Sequence, residues 1–511
     1  MAFSKAGLDM RVFDTAVIGL GPTGATLANL LAMQGLSVLI LEREAQMYDL
    51  PRAVHFDDEI MRVFQNIGIA DELLPMVRVN PGMRFVDKEN NLLLDWPRPQ
   101  DITPQGWNAS YRLHQPDLER LLRKKLEGYD LVTLKTSTRV TSIDQTETEA
   151  AIRTQTGSTN RSETYRARYV IGCDGANSQT RTMIKSELDD YGFQERWLVI
   201  DLILKKDRPD LGDHSIQFCR PDRPMTYCRG PGNRRRWEIT LLDTEDENRV
   251  TKPVHIWSLL KPWITTDEAS LERTAVYTFK SQVARNWRHG RIFLAGDAAH
   301  VTPPFLGQGM CIGIRDAFNL AWKLASVINK DAEHPLLDSY EDERNPHARA
   351  YVEMAIKIGQ IIRSINHNDA LNDVSGHRTQ SGKMQSITPK LGPSSLTAPR
   401  SNSNTDVEGR PASQFRVQPS NELMDDVSGY RHVIISNTQP KGLKDSIFWI
   451  NASEQEEADK LLKDLNAEAA WIRPDRYLGA ATKSIQELYE YLPNFLKNRE
   501  KCGDYNETSF S

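Results

Sequence analysis

Gly19-Leu20-Gly21-Pro22-Thr23-Gly24 sets three glycines at the spacing of a dinucleotide-binding turn. The first glycine permits a tight turn, the second lets the backbone approach a pyrophosphate, and the third lets strand and helix pack closely. The helix that starts here would turn unpaired N–H groups and its positive dipole end toward the same anion. Glu42 stands 21 positions beyond Gly21, where an acid is expected to grip a ribose hydroxyl. Chance glycines at a helix cap are the bland alternative, and the motif does not say which dinucleotide.

A second cluster, Ala295-Gly296-Asp297-Ala298-Ala299-His300, follows a buried run and leads through Pro303-Pro304 to Gly307-Gln308-Gly309-Met310. Asp297 at a strand end would accept from a sugar or ribityl hydroxyl. The Gly307–Gly309 turn would offer N–H groups and a helix N-terminus to an anionic group such as a reduced flavin. The structural alternative is a plain strand–turn–helix crossover.

Elements must position these residues. Thr15–Ile18, a helix over Ala25–Gln34 closed by Gly35, and Ser37–Leu41 read as a βαβ unit. A helix is predicted over Gln115–Leu126, and strands over 131–134, 139–143, 150–154 and Tyr169–Ile171. From Trp197 to Phe279 apolar and polar residues alternate, which predicts an antiparallel sheet inserted in the α/β body. A strand over 291–295 and a helix over 309–329, with Ile312, Ala317, Leu320, Ala321, Leu324 and Val327 inward, restore the α/β pattern. Residues 367–421 turn polar and read as a surface excursion, partly disordered. After it, strands at 432–435 and 470–472 and helices at 454–465 and 483–492 form a small α/β unit.

Composition narrows the function classes. A net charge of -5 gives no basic field for nucleic acid. Ala16–Leu41 is free of charge, but its glycines, proline and polar residues break it into strand, turn and helix rather than a membrane span or signal. Five scattered cysteines, Cys173, Cys219, Cys228, Cys311 and Cys502, lack a CxxC pair or metal-ligand spacing, so no metal is expected and a reducing, cytoplasmic compartment is.

The chain resembles the class A flavoprotein monooxygenases, which share the fold of para-hydroxybenzoate hydroxylase. Three fingerprints appear in order: the glycine loop with Glu42, Cys173-Asp174-Gly175-Ala176-Asn177-Ser178 with Arg181, and Gly296-Asp297. It is most similar to the 3-(3-hydroxyphenyl)propionate hydroxylase branch, through Pro51-Arg52-Ala53, Asp57-Asp58-Glu59, Gly307-Gln308-Gly309 and the run Arg315–Leu324. The resemblance is clear over 13–350 and weak beyond. Val301–Leu306 and the polar excursion depart from it, which leaves the substrate open.

The resemblance implies an α/β fold: a Rossmann-like FAD-binding domain in two parts (1–185 and 286–366), an inserted β-rich substrate domain (186–285), a polar linker (367–429) and a thioredoxin-like C-terminal domain (430–511). The cofactor set becomes Gly19, Gly21, Pro22, Thr23, Gly24, Glu42, Arg43, Arg52, Gln115, Asp174, Gly296, Asp297, Pro303, Gly307, Gln308, Gly309 and Met310. On residue type alone, Arg52 reads as a solvated surface arginine and Gln115 as a helix-start polar group. NAD(P)H would reduce FAD, and O2 would add as a flavin C4a-hydroperoxide that hydroxylates a phenolic or other electron-rich aromatic ring. No second dinucleotide motif appears, so nicotinamide would bind transiently at the flavin.

A phenol reacts better as phenolate, so a base or relay is expected near it. Candidates are His214, Gln217, Tyr227, Arg229, Glu238 and His300, each with a packed, hydrogen-bonded role as its alternative. Arg234-Arg235-Arg236 would meet a carboxylate or a nucleotide phosphate, or else form a solvated turn. The C-terminal unit, without CxxC, would serve packing or a homodimer. Epoxidation or dehydrogenation on the same fold, and a non-catalytic FAD protein, are the competing readings.

Overall fold

The computed structural model describes residues 8–48, 50–157, 161–364, 371–397 and 407–498. Leu8–Ile18 is the centre of a largely parallel sheet. Val38–Leu41 and then Val132–Lys135 lie on one side of it, Arg161–Gly172 and then Ile292–Leu294 on the other. Strand order therefore reverses at Leu8–Ile18, the place where open α/β sheets form a ligand crevice. Register sharpens this. Leu41 pairs with Ile18, Ile18 with Gly172, and Gly172 with Leu294, so four strands end side by side. The loops that begin at Gly19, Glu42, Cys173 and Ala295 leave one common edge.

The helix Pro22–Met33 follows the first loop, with Pro22 at its first turn and residues Gly24–Ala32 buried. Gln115–Leu126 is helical over the expected residues. The helix Gly309–Ile328 is buried nearly all round, not on the single inner face expected. Its polar residues are matched across the core: Arg315 by Asp57 and Glu59, Asp316 by Arg344, and Lys323 by Glu343. Asp338–Arg363 is a 26-residue helix that the sequence pattern did not reveal. Its first half is polar and contains Pro346, and it is stabilised by buried partners of Glu343 and Arg344 rather than by an apolar stripe.

The chain forms a second eight-stranded sheet. It is not confined to 186–285 and not wholly antiparallel. Gly82–Val86 pairs parallel with Ser215–Phe218, Leu92–Pro97 forms its edge, and His300–Val301 adds to Ala269–Ala284. The run Arg234–Arg236 is strand rather than solvated turn, with Arg235 and Arg236 buried.

The polar stretch also differs from expectation. Its described parts bury Val374, Met384, Leu391, Phe415 and Met424, and Asp425 pairs with Arg62 at 2.6 Å and Arg476 at 3.1 Å. Single apolar residues spaced among polar ones carry no period, yet each fills a gap against the body. Beyond it, Phe448–Asn451, Val433–Ser436, Ala469–Ile472 and Leu478–Thr482 form a four-stranded sheet with helices Glu456–Asp464 and Ile485–Tyr491. The four described cysteines are free thiols, and Cys502 lies outside the described residues. Among the described residues no helix is long and apolar enough to cross a membrane.

Candidate active site

One long cavity of about 880 Å³ runs from the glycine loop to the wall of the second sheet. At one end the loop is tightly held: the Gly19 N–H donates to the Leu41 carbonyl at 2.9 Å, and the Leu20 N–H to Glu42 Oε2 at 2.7 Å. Glu42 also accepts from the Glu44 N–H at 2.8 Å. A methyl on Gly24 would drive into the Gly19 carbonyl, whereas one on Gly21 would meet nothing within 4 Å. The space beside Gly21 and the uncapped start of the helix Pro22–Met33 form a cradle that fits a pyrophosphate. Glu42, Arg43, Arg52 and Gln115 line the cavity nearby. Gln115 is committed to structure: it accepts from the Ala53 N–H at 2.6 Å and donates to Glu119 at 2.7 Å.

Asp174 lines the cavity but its carboxylate is engaged, accepting from Ser178 Oγ at 2.6 Å and the Thr180 N–H at 3.0 Å. Arg181 ties this turn to the next by donating to the Ala176 and Ala298 carbonyls, both at 2.8 Å. Asp297 is exposed to the cavity, and desolvation by the protein around it pushes its carboxyl above the usual range. Gly307 has φ +66°, and a side chain there would press on the His55 ring. His55 Nδ1 donates to the Gly307 carbonyl at 3.1 Å, since a carbonyl only accepts. Its Nε2 therefore accepts from Ser110 Oγ at 2.7 Å, and Ser110 accepts from Asn80 Nδ2 at 2.8 Å. Burial, then Arg112 and Arg98, lower the His55 pKa to about 3, so the ring is neutral.

Several expected contacts do not face the cavity. Gly24 and Gly296 are packing glycines, and Gly296 sits against Thr23. Pro303 is outside the lining, whereas Pro304, Gly307, Gly309 and Met310 are in it. Gln308 points away and is pinned, donating to Asp57 at 3.0 Å and accepting from Arg315 at 3.1 Å. Its withdrawal leaves the N-terminus of Gly309–Ile328 without a side-chain cap.

Of the six candidates for the base or relay, Gln217 and Glu238 line the cavity, and of these two Glu238 is the ionisable one. Burial raises its pKa, with Arg236 and Arg112 opposing. His300 is buried behind the lining, its Nε2 on Asp316 Oδ2 at 2.6 Å, and the same oxygen accepts the Gly296 N–H at 3.0 Å. It is linked to the Gly296–Asp297 turn through Asp316 and lies outside the cavity lining. Tyr227 packs at a tilt against Trp237 inside the second sheet's core, with ring centres 4.9 Å apart. His214 and Arg229 lie off the cavity, while Gln217 lines it with Thr226 and Cys228. Arg236 pairs with Asp201 at 2.6 Å and donates to the Arg52 and Pro51 carbonyls at 2.7 and 2.9 Å, fastening the second sheet to that loop. Sequence reasoning missed His55, Ser110, Asn80, Arg98 and Arg112. They sit in short, irregular strands and loops with no local motif.

A family model described as "FAD binding domain" matches residues 12–355. A protein of Rhodococcus jostii (strain RHA1) named "Probable NADH-specific resorcinol 4-hydroxylase" is 42% identical over 359 residues, 70% of this chain and 66% of that protein. A "3-(3-hydroxy-phenyl)propionate/3-hydroxycinnamic acid hydroxylase" of Mycolicibacterium smegmatis (strain ATCC 700084 / mc(2)155) is 35% identical over 359 residues, 70% of this chain and 62% of that protein. The chain thus spans a little under two thirds of these relatives. A solved ternary complex of aklavinone-11 hydroxylase with FAD and aklavinone superposes with TM-score 0.78 at 21% identity, covering 96% of this chain and 100% of that one. The flavin-dependent monooxygenase PieE, with FAD and substrate, gives TM-score 0.80 at 18% identity, covering 96% and 99%. At those identities the likeness speaks for the fold.

Proposed function

This chain belongs to the FAD binding domain family of class A flavoprotein monooxygenases, and we propose that it hydroxylates a phenolic or other electron-rich aromatic ring using NAD(P)H and O2. The observation that carries this reading is the single cavity, which joins a dinucleotide cradle at Gly21 to a chamber walled by Met83, Trp96, Tyr277, Phe279 and Glu238. What FAD supplies there when bound is transfer of one oxygen atom from O2 to the ring, after reduction by a nicotinamide.

The chain's own residues then have separable tasks. The glycine loop, Glu42 and Arg43 hold the adenosine and pyrophosphate end, with Arg52 and Gln115 shaping the adjoining loop. Asp297 takes a ribityl hydroxyl, and the Gly307–Met310 turn faces the ring system. His55 fixes that turn. Glu238 is the proton acceptor within reach of the chamber, its raised pKa bringing it nearer the working range of a base. Phe279 and Tyr277 exclude water and flatten the chamber for an aromatic ring.

We assign 1–185 and 286–366 to the FAD-binding part and 186–285, extended by Gly82–Pro97, to the substrate part. We assign 430–511 to a thioredoxin-like unit with a packing role, a reading supported by the four-stranded sheet and the helices Glu456–Asp464 and Ile485–Tyr491. A cytoplasmic enzyme, homodimeric in solution, completes the reading; fractionation and sedimentation check those two points. The decisive experiment loads the purified protein with FAD and screens phenols for stimulated NADH and NADPH oxidation with analysis of products. The reading fails when no phenol stimulates oxidation and no oxygenated product forms.

A further inference from the structure

Most buried arginines in the described residues are paired with a carboxylate, Arg235 being one that meets backbone carbonyls instead. Arg62 meets Asp425, Arg236 meets Asp201, Arg315 meets Asp57 and Glu59, and Arg473 meets Glu343. Arg98 and Arg112 differ from Arg235 in that they line the cavity. Among the described residues neither Arg98 nor Arg112 has a carboxylate within salt-bridge distance. Arg98 lies over the Trp96 ring at 4.2 Å, and its Nη1 is buried without a hydrogen-bond partner. Arg112 is 8% exposed and donates to Ser215 Oγ. Glu238, on the same wall, pairs with Arg236 at 3.6 Å. Asp57 is taken by Arg315 and Gln308.

Two guanidinium groups withdrawn from water that repel one another are costly unless an anion meets them. The field they set up is felt by their neighbours: each depresses the pKa of His55, and Arg112 depresses that of Arg98. Among the described residues Asp57 and Glu238 act on these two arginines only from beyond salt-bridge distance, which leaves room for an anionic ligand to meet them directly. The pyrophosphate cradle lies at the end of Leu8–Ile18 in the first sheet. Arg98 instead follows the edge strand of the second sheet, and Arg112 contacts that sheet through Ser215.

We propose that Arg98 and Arg112 form an oxyanion site for a carboxylate or phenolate substituent of the aromatic substrate, which rests on the hydroxylase reading above. The guanidinium fork suits a carboxylate, and a cation beside a phenol favours its ionised, more reactive form. Arg98 thereby selects which aromatic ring enters and how it is turned toward the Gly307 loop.

The test uses the FAD-loaded full chain, with resorcinol and 3-(3-hydroxyphenyl)propionate as probes and equilibrium dialysis and the flavin absorbance change as readouts. Arg98→Met should weaken the propionate at least tenfold at unchanged FAD content, and Arg98→Lys should recover most of it. If phenolate is the anion, resorcinol weakens as well, by a factor that grows as pH rises. The proposal is overturned when both probes bind Arg98→Met within twofold of the parent. It is equally overturned when the variant loses FAD instead, or when the parent binds neither probe. Arg98-dependent binding without stimulated NAD(P)H oxidation would sink the hydroxylase reading and leave the anion site standing.

Discussion

The Tyr477 hydroxyl donates to Glu59 Oε1 at 2.5 Å, so the C-terminal region reaches the support of the cavity turn. Glu59 Oε2 accepts from Arg315 Nε at 2.8 Å, and Arg315 holds Asp57 at 2.7 Å and Gln308 at 3.1 Å. Removing Arg315 strands two buried carboxylates. Arg315→Met should cost about 3–5 kcal/mol in urea denaturation and lower FAD retention. Tyr477→Phe should cost about 1 kcal/mol and leave FAD content unchanged. Equal effects of the two would contradict this ordering.

The glycines of the first loop should separate folding from cofactor binding. Gly24→Ala forces a methyl against the Gly19 carbonyl and is expected to destabilise the apoprotein by about 1–3 kcal/mol. Gly21→Ala points into open space, so the apoprotein should melt like the parent while FAD affinity drops. Thermal melts of apoprotein alongside FAD titration check both.

Glu42 holds the loop through a charged acceptor at 2.7 Å from the Leu20 N–H. Glu42→Gln keeps an acceptor and loses the charge, and FAD Kd should rise about tenfold, or ~1.4 kcal/mol. Fluorescence titration measures it, and an unchanged Kd would remove Glu42 from the binding set.

Stability should fall in acid because of His55. Its folded pKa of about 3 lies below the ordinary 6.5, so the unfolded chain binds the proton first. The contribution is whole above 6.5 and is lost as pH falls toward 3, at up to ~1.4 kcal/mol per pH unit. Asp58 acts with opposite sign: burial and Asp57 raise it to about 7, and its contribution is lost as pH rises from 3.8 through 7. Urea midpoints against pH should show a shallower acid limb in His55→Asn and less loss toward neutrality in Asp58→Asn.

Among the candidates suggested by residue type, Glu238 is the ionisable one that lines the cavity, beside Gln217. Glu238→Gln should lower kcat of phenol-stimulated NAD(P)H oxidation roughly 10²-fold or more. Tyr227→Phe and His214→Gln, both off the cavity, should stay within about twofold. A large loss in either would return that residue to the mechanism.

The βαβ unit, the helix Gln115–Leu126 and the turns at Asp174 and Asp297 were legible in the sequence, because each is encoded within a few consecutive residues whose spacing has one physical use. The legible signs ended where contacts became long-range. His300 follows the Gly296–Asp297 motif and so invites a catalytic role, yet Asp316, 16 positions on, draws it behind the lining. The helix Asp338–Arg363 and the packed parts of 371–429 rest on buried partners scattered along the chain, which leave no period to read. Strand register alone brings Leu41, Ile18, Gly172 and Leu294 to one edge. By itself the sequence determined the cofactor's cradle and the family's order of motifs. Only the tertiary structure decided which side chains share the cavity wall, since His55, Arg98, Arg112, Gln217 and Glu238 come from separate strands and loops that no local spacing links.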